Sequence, residues 1–319
     1  MTKDLDHYAD ALSRLRRARV GEHSSPHKPA LLLAIISLIE SGKVKYNRIE
    51  YDQALLQLFR RYFEKVRSHR DAVNSMDPFW RLRTDGFFHH HPKPGHEAAV
   101  RNQRGAPTLG QLHEISDYSF LDDDLFELLR DPTKRRQLRE TLVSTYFPDK
   151  AKEIARVAKE ERSIKSYEDY LEARMTGRTQ DASEPKAAEY VRDAAFGRIV
   201  REAYDYQCAA CGLRIIVADL ALVDAAHIVP LHVSGDNDPR NGMALCKNHH
   251  WALDSNLMAP FPDLKWHTHK NLDSRLAGHE ELKRLDGQSI ILPRKPKYHP
   301  KKESLAWRKA KLREAGGAA

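Results

Sequence analysis

The stretch spanning residues 206–254 constrains this chain more than any other. It reads YQCAACG, then VDAAHIVPL, then NGMALCKNHHWALD, and it contains all three cysteines of the sequence. Cys208 pairs with Cys211 at Cys-x-x-Cys spacing, and Cys246 pairs with His249 at Cys-x-x-His spacing. Four such donors suit tetrahedral zinc with no open position, and Gly212 lets the backbone turn round the metal. Two chance pairs of buried residues are the plainer alternative, but they leave unexplained why every cysteine falls into a pair. A second donor set is interleaved with the first. His227 lies on an extended apolar segment that ends at Pro230, and Asn241, His250 and Asp254 follow. His250 and Asp254 stand four apart, which on a helix places them on one face. Opposite a strand histidine they form a compact cation site. The competing reading is a zinc-stapled binding module whose histidines are scaffold, and four positions in register weigh against it.

At 319 residues the chain is long enough for two domains with separate cores. An excess of Lys and Arg over Asp and Glu gives a net charge of +8, which points weakly towards a polyanionic partner. Three cysteines cannot all pair within one chain, so metal ligation in a reducing cytoplasm is the expected use. No apolar run is long enough to cross a bilayer, and the N-terminus lacks the basic-then-apolar order of a secretion signal. We therefore expect a cytoplasmic protein with no membrane partner.

The fold class read from the pattern is α+β. A mainly helical first domain over 1–150 is followed by a linker over 151–188 and a second domain over 189–319. Leu5, Tyr8, Leu12 and Leu15 recur at helical spacing, predicting an amphipathic helix that ends near Gly21. Next comes HSSPHKPALLLAIISLIESG, with Pro29 in a first turn and Gly42 as a stop. This helix is apolar on most sides, so it should centre the first core, and its start carries His27 and Lys28 where an anion could sit. Residues 54–66 return to helical spacing. In PFWRLRTDGFFHHHP, Asp85-Gly86 between two aromatic runs predicts a hairpin, and helices followed by a hairpin suit a winged-helix-like DNA reader. His89, His90 and His91 would point to alternate faces of a strand, which favours solvated polar residues over one metal site. Asp122, Asp123 and Asp124 precede an apolar-periodic run, so capping and the helix dipole explain them better than magnesium does. The loop 93–108 offers Arg101 and Arg104, either to DNA or to solvent. In the linker, the first part reads as a solvated helix and TGRTQDASEPK as a flexible joint. The basic C-terminal tail reads as a phosphate-tracking segment or a solvated helix anchored by Trp307.

Three blocks, HKPALLLAIISLI, PFWRLRTDGF and RRQLRETLVSTYFP, resemble the sulfur-binding domain of phosphorothioate-dependent restriction endonucleases over roughly residues 5–150. The resemblance implies recognition of double-stranded DNA in which sulfur replaces a non-bridging phosphate oxygen. Sulfur is larger, softer and a poorer hydrogen-bond acceptor than oxygen, so a reader should offer it an apolar wall with cations nearby. Pro29 with His27 and Lys28, and Phe79 and Trp80 with Arg81 and Arg83, can supply both. Alternatively, Phe79 and Trp80 are core and only the arginines face outward.

From AHIVP, GDNDPRNGMALC and NHHWALD, residues 189–260 resemble the HNH, or ββα-metal, endonucleases. The resemblance implies that His227 is the general base, Asn241 the residue that orients it, and His250 a metal ligand with Asp254 as a second. Many members place a ligand immediately before the base, where this chain has Ala226. Asp224, on the same strand face as Ala226, either takes its place as a ligand or only hydrogen-bonds within the finger, where the metal then keeps two protein ligands with water and phosphate oxygens. The implied chemistry is one-metal phosphodiester hydrolysis with magnesium or manganese, beside a structural zinc. The expected protein is a modification-dependent restriction endonuclease. The alternatives are an HNH nuclease reading methylcytosine or unmodified DNA, and a non-catalytic zinc-containing DNA-binding regulator. Cutting both strands with one site needs two copies or two visits, which suggests a homodimer.

Overall fold

The structure is a computed structural model that describes residues 3–20, 23–178, 184–273 and 275–315. The chain divides after Arg162 into two compact units. Among the described residues no helix is long and apolar enough to cross a membrane.

In the first unit, helix α1 (Leu5–Ser13) is capped by Asp4, whose carboxylate accepts from the His7 amide, and it buries Tyr8 and Leu12. It stops before the expected end near Gly21, which lies outside the described residues. Helix α2 (His27–Glu40) buries every residue from Lys28 to Ile39, as an all-round apolar helix at the centre of a core must. Helix α3 (Gln53–Val66) packs on it with Leu55, Leu58, Phe59, Tyr62 and Phe63 turned inward.

The hairpin expected at Asp85-Gly86 is not formed. Met76–Arg81 is helix α4, it tightens into a 3₁₀ turn over Leu82–Asp85, and Gly86 ends it with φ +86°. Phe79, Trp80 and Leu82 bury their side chains from this helical turn, so Asp-Gly here stops a helix rather than reversing a strand. The strand pair is instead made by β1 (Phe88–Pro92) and β2 (Ser116–Leu121), antiparallel and far apart in sequence.

Alternation along β1 sorts the three histidines, and it overturns the solvated reading for one of them. His90 points inward, stacked on Trp80 at 4.3 Å and bonded to Ser119 Oγ at 2.7 Å. His89 meets Asp122 at 2.7 Å, and His91 stacks on Tyr118. Helix α5 (Asp123–Arg130) begins with Asp123 and Asp124 in its first turn, as the dipole favours. Asp122 makes no capping bond. It accepts instead from Lys3 Nζ, Tyr8 Oη and His89, holding three segments together. Helix α6 (Pro132–Tyr146) is capped by Asp131 and packs against α1.

Residues 151–175 form one helix, α7 (Ala151–Met175), within which the division between the units falls. It is not solvated all round, because Ile154, Val157, Ile164, Tyr167 and Leu171 are buried. Part of the joint expected at 176–186, residues 179–183, lies outside the described residues.

In the second unit, helix α8 (Glu189–Ala203) supports an antiparallel pair, β3 (Asp224–His227) and β4 (Gly242–Leu245), in which His227 stands opposite Gly242. Helix α9 (Lys247–Asp254) follows β4 at once, completing a ββα unit. The tail helix α10 (Lys302–Ala315) is solvated on one face only and is anchored by more than Trp307, since Leu305, Arg308 and Leu312 are buried.

Candidate active site and reader surface

The zinc donors converge. Cys208, Cys211, Cys246 and His249 place one donor atom each within 4.8 Å of one another. His249 Nδ1 lies 3.1 Å from Cys246 Sγ and 3.5 Å from Cys208 Sγ. Burial, with the neighbouring thiols, pushes Cys211 up to about 12, so without a cation the cluster resists carrying three thiolates. Three thiolates and one imidazole in a closed cluster fit zinc.

Above this staple, β3 carries His227 to its edge. The imidazole stacks on Phe196 of α8 at 3.9 Å between centroids and 6° between planes. Its Nε2–H donates to Asn237 Oδ1 at 3.0 Å, so Nδ1 keeps the lone pair that a general base needs. Burial lowers the pKa of His227, which keeps the ring neutral near pH 7.

His250 stands between two carboxylates. Its Nδ1 is 3.2 Å from Asp224 Oδ2 and its Nε2 is 3.4 Å from Asp254 Oδ2. The two carboxylates lie on opposite edges of the ring, so one cation on His250 can share it with only one of them. Lys247 Nζ also contacts Asp224 Oδ2, at 2.6 Å. One imidazole with one carboxylate fits a hard cation that keeps places for water and phosphate oxygens. Ala226, immediately before the base, is wholly buried.

In the first unit, a cavity of about 790 Å³ is walled by Arg16, Arg17, His27, Lys28, Arg70 and Arg81, with Ala18, Ala72 and Pro78 as its apolar surface. His27 is fixed on both edges: Nε2–H donates to Ala72 O at 2.9 Å, and Ser25 Oγ–H donates to Nδ1 at 2.7 Å. Lys28 is buried and bonded to Asp85 at 2.6 Å and Thr84 at 3.2 Å.

Residues 208–259 match the family described as HNH endonuclease, and residues 6–158 match the ScoMcrA-like DNA sulfur-binding domain. The chain joins a DNA sulfur-binding domain to an HNH endonuclease domain. Three solved structures are similar to it. One described as a modification-dependent TagI restriction endonuclease is 23% identical, with 38% of this chain and 39% of that one covered and a TM-score of 0.30. This chain thus spans about two fifths of its length. The sulfur-binding domain of ScoMcrA complexed with phosphorothioated DNA is 24% identical over 44% of this chain and 87% of that one, at a TM-score of 0.35. The type IV phosphorothioation-dependent restriction endonuclease ScoMcrA is 13% identical over 97% and 99%, at 0.34. No curated protein sequence matches significantly.

Within the sulfur-binding domain the structure brings His27, Lys28 and Arg81 to one cavity and leaves the other named residues elsewhere. Phe79 and Trp80 are 1% and 0% exposed, so neither offers an aromatic wall to sulfur; they are core. Pro29 is likewise buried. Arg83 lies over Trp80 and donates to the carbonyls of Val100 and Gln103, while Arg101 and Arg104 are exposed outside the cavity. Sequence reasoning missed Arg16 and Arg17, although the run RLRRARV was a visible signal.

Within the HNH domain, Asn241 does not touch the base. Its Oδ1 accepts from the Val229 amide, and its Nδ2 donates to the carbonyls of Val229 and Asp236, at 3.0 to 3.1 Å. It staples the backbone that leaves His227, whereas the side chain on the ring is Asn237, in the same GDNDPRNG block. Arg308 was also missed. It donates to the carbonyls of His227, Ile228 and Leu253, and nothing in a lysine-rich tail marks it out.

Proposed function

We propose that this protein is a modification-dependent restriction endonuclease whose first unit binds phosphorothioated double-stranded DNA and whose second hydrolyses the phosphodiester backbone. The observation that carries the reading is the joining, in one chain, of a sulfur-binding domain to an HNH site whose His227 is half-buried, neutral and free at Nδ1. The cationic cavity with Ala18, Ala72 and Pro78 in its wall supports the first half. It combines charge for the phosphate with apolar surface for sulfur, which loses little by leaving water.

In the second half, His227 Nδ1 takes a proton from a water molecule. The water oxygen forms a bond to phosphorus, and the bond from phosphorus to the leaving oxygen breaks in line with it. Phe196 and Asn237 hold the ring, and Asn241 and Arg308 hold the backbone beneath it. A divalent cation, magnesium or manganese, would supply charge stabilisation to the reacting phosphate. His250 Nε2 with Asp254 would hold it, while Asp224 accepts from Nδ1–H and orients the ring, as carboxylates behind metal-bound histidines do. The Cys208 cluster would hold zinc as a structural staple. Two copies acting together would cut both strands.

The test is cleavage and binding by substituted protein. His227→Ala is expected to abolish cleavage while DNA affinity is retained, and Asp254→Ala to behave alike. Asp224→Asn is expected to cost only about 10–100-fold. Cleavage retained in His227→Ala would remove the base assignment.

A further inference from the structure

Helix α9 presents one large apolar side chain to water beside the cation site. Trp251 follows His250 directly and is 66% exposed, whereas Trp80 and Trp266 are wholly buried. Among the described residues its indole stacks on no other ring, lies under no cation and donates no hydrogen bond. The other sides of the helix are all engaged. Cys246 at its N-cap and His249 belong to the zinc cluster, and Ala252 and Leu253 are wholly buried. His250 and Asp254 meet at the cation site. Lys247 stands one turn before Trp251 on the same face, is 82% exposed at its side chain and reaches Asp224. The face of α9 that neither the core nor the metals use thus carries an ammonium and an indole.

We propose that Trp251 stacks on the nucleotide next to the scissile phosphate and so seats DNA in the HNH site. Single apolar residues scattered on a surface need no explanation, but this one is held rigidly beside a metal-binding histidine. Adjacent residues are about 3.8 Å apart at Cα, and successive nucleotides of one strand about 3.4 Å apart along the duplex. A phosphate held at His250 therefore brings the neighbouring nucleotide within reach of the indole. The chemistry suits that occupant. Every base offers a π-face that an aromatic ring can cover whatever the sequence, and the Lys247 ammonium supplies charge for an adjoining phosphate. Bases within a duplex already stack on one another, so the indole enters from the groove as an apolar wedge between two of them. A residue in this role acts by holding substrate, so its loss is read in KM rather than in proton transfer at His227.

This inference rests on the HNH site cutting DNA, and two readouts keep the two claims apart. The first is tryptophan fluorescence of the full chain titrated with a phosphorothioated duplex, in a His227→Ala background that leaves the DNA whole. Quenching is expected, with an amplitude that adding Trp251→Phe reduces; the other three tryptophans stay as the reference. An amplitude that Trp251→Phe leaves unchanged overturns the contact. So does quenching that follows protein concentration without DNA, which would place the indole between two copies of this chain. The second readout is cleavage of phosphorothioated plasmid with magnesium or manganese, with unfolding temperature as the control. Trp251→Ala is expected to lower kcat/KM about tenfold, mainly through KM, while Trp251→Phe stays within about threefold of the parent and both unfold with it. Trp251→Leu, which keeps apolar bulk but has no π-face, is expected to resemble Trp251→Ala. Parental kcat/KM in Trp251→Ala, or full activity in Trp251→Leu, overturns the stacking. DNA-dependent quenching by Trp251 in a parent chain that cuts no plasmid would bring down the nuclease reading while the contact stands.

Discussion

Gly242 shows how tightly the base is held. It stands opposite His227, and a methyl group there would lie 2.6 Å from Val200 Cγ2 and 2.7 Å from Phe196 Cζ. Both neighbours are buried core side chains, and Phe196 is the surface on which the imidazole stacks. Gly242→Ala is therefore expected to cost about 1–3 kcal/mol through overpacking and to lower kcat by displacing the ring. Thermal unfolding and cleavage rate check this together, and a variant with parental values of both would show that the ring needs no such support. The donors themselves were legible in sequence, because cysteine and histidine spacing reports geometry directly. The clamp was not. Asn237 and Asn241 sit four apart in one polar block, and only the folded loop shows which of them faces the ring.

At the scale of elements, two cases turn on burial that sequence patterns misjudge. The basic tail reads as a phosphate-tracking segment or a solvated helix anchored by Trp307, yet α10 sends the 1%-exposed Arg308 under the strand and helix ends. Burial draws its pKa down to about 10, so it stays charged at neutral pH and donates to three carbonyls. Hydrogen bonds from a charged group contribute about 1.5–3 kcal/mol each. Arg308→Ala is accordingly expected to cost roughly 3 kcal/mol or more in chemical denaturation; a change below about 0.5 kcal/mol would make the helix an ornament. One arginine among the tail's many basic residues carries no mark of this, since the distinction arises only when the helix packs.

In β1, His90 lies inside, and burial drives its pKa from 6.5 to about 4. The folded value is below the unfolded one, so its contribution to stability is complete above about pH 6.5 and is lost as pH falls towards 4. At 1.36 kcal/mol per unit the loss approaches about 3 kcal/mol. Protection factors of the amides in β1 and β2, corrected for the intrinsic pH dependence of exchange, should therefore fall between pH 6.5 and 4; flat protection across that window would place the proton elsewhere. Strand alternation foretold that the three histidines point to opposite faces. Which face would be inside depended on β2, a partner far away in sequence.

At the scale of the molecule, a sulfur-binding unit and an HNH unit share one chain with a net charge of +8. Both units were legible as blocks of residues in a fixed order, because each block builds something local, whether a buried central helix, a metal knuckle or a strand-borne histidine. The reader's cavity was less so, since its arginines come from separate segments and its expected aromatic wall is core. Binding of a sulfur-bearing backbone is expected to bring the HNH site to DNA it would otherwise leave intact. The direct measurement is cleavage of matched plasmids that are phosphorothioated, methylated or bare, with magnesium or manganese present. Cutting of the phosphorothioated plasmid alone is expected, abolished by His227→Ala. Equal cutting of all three plasmids would contradict it.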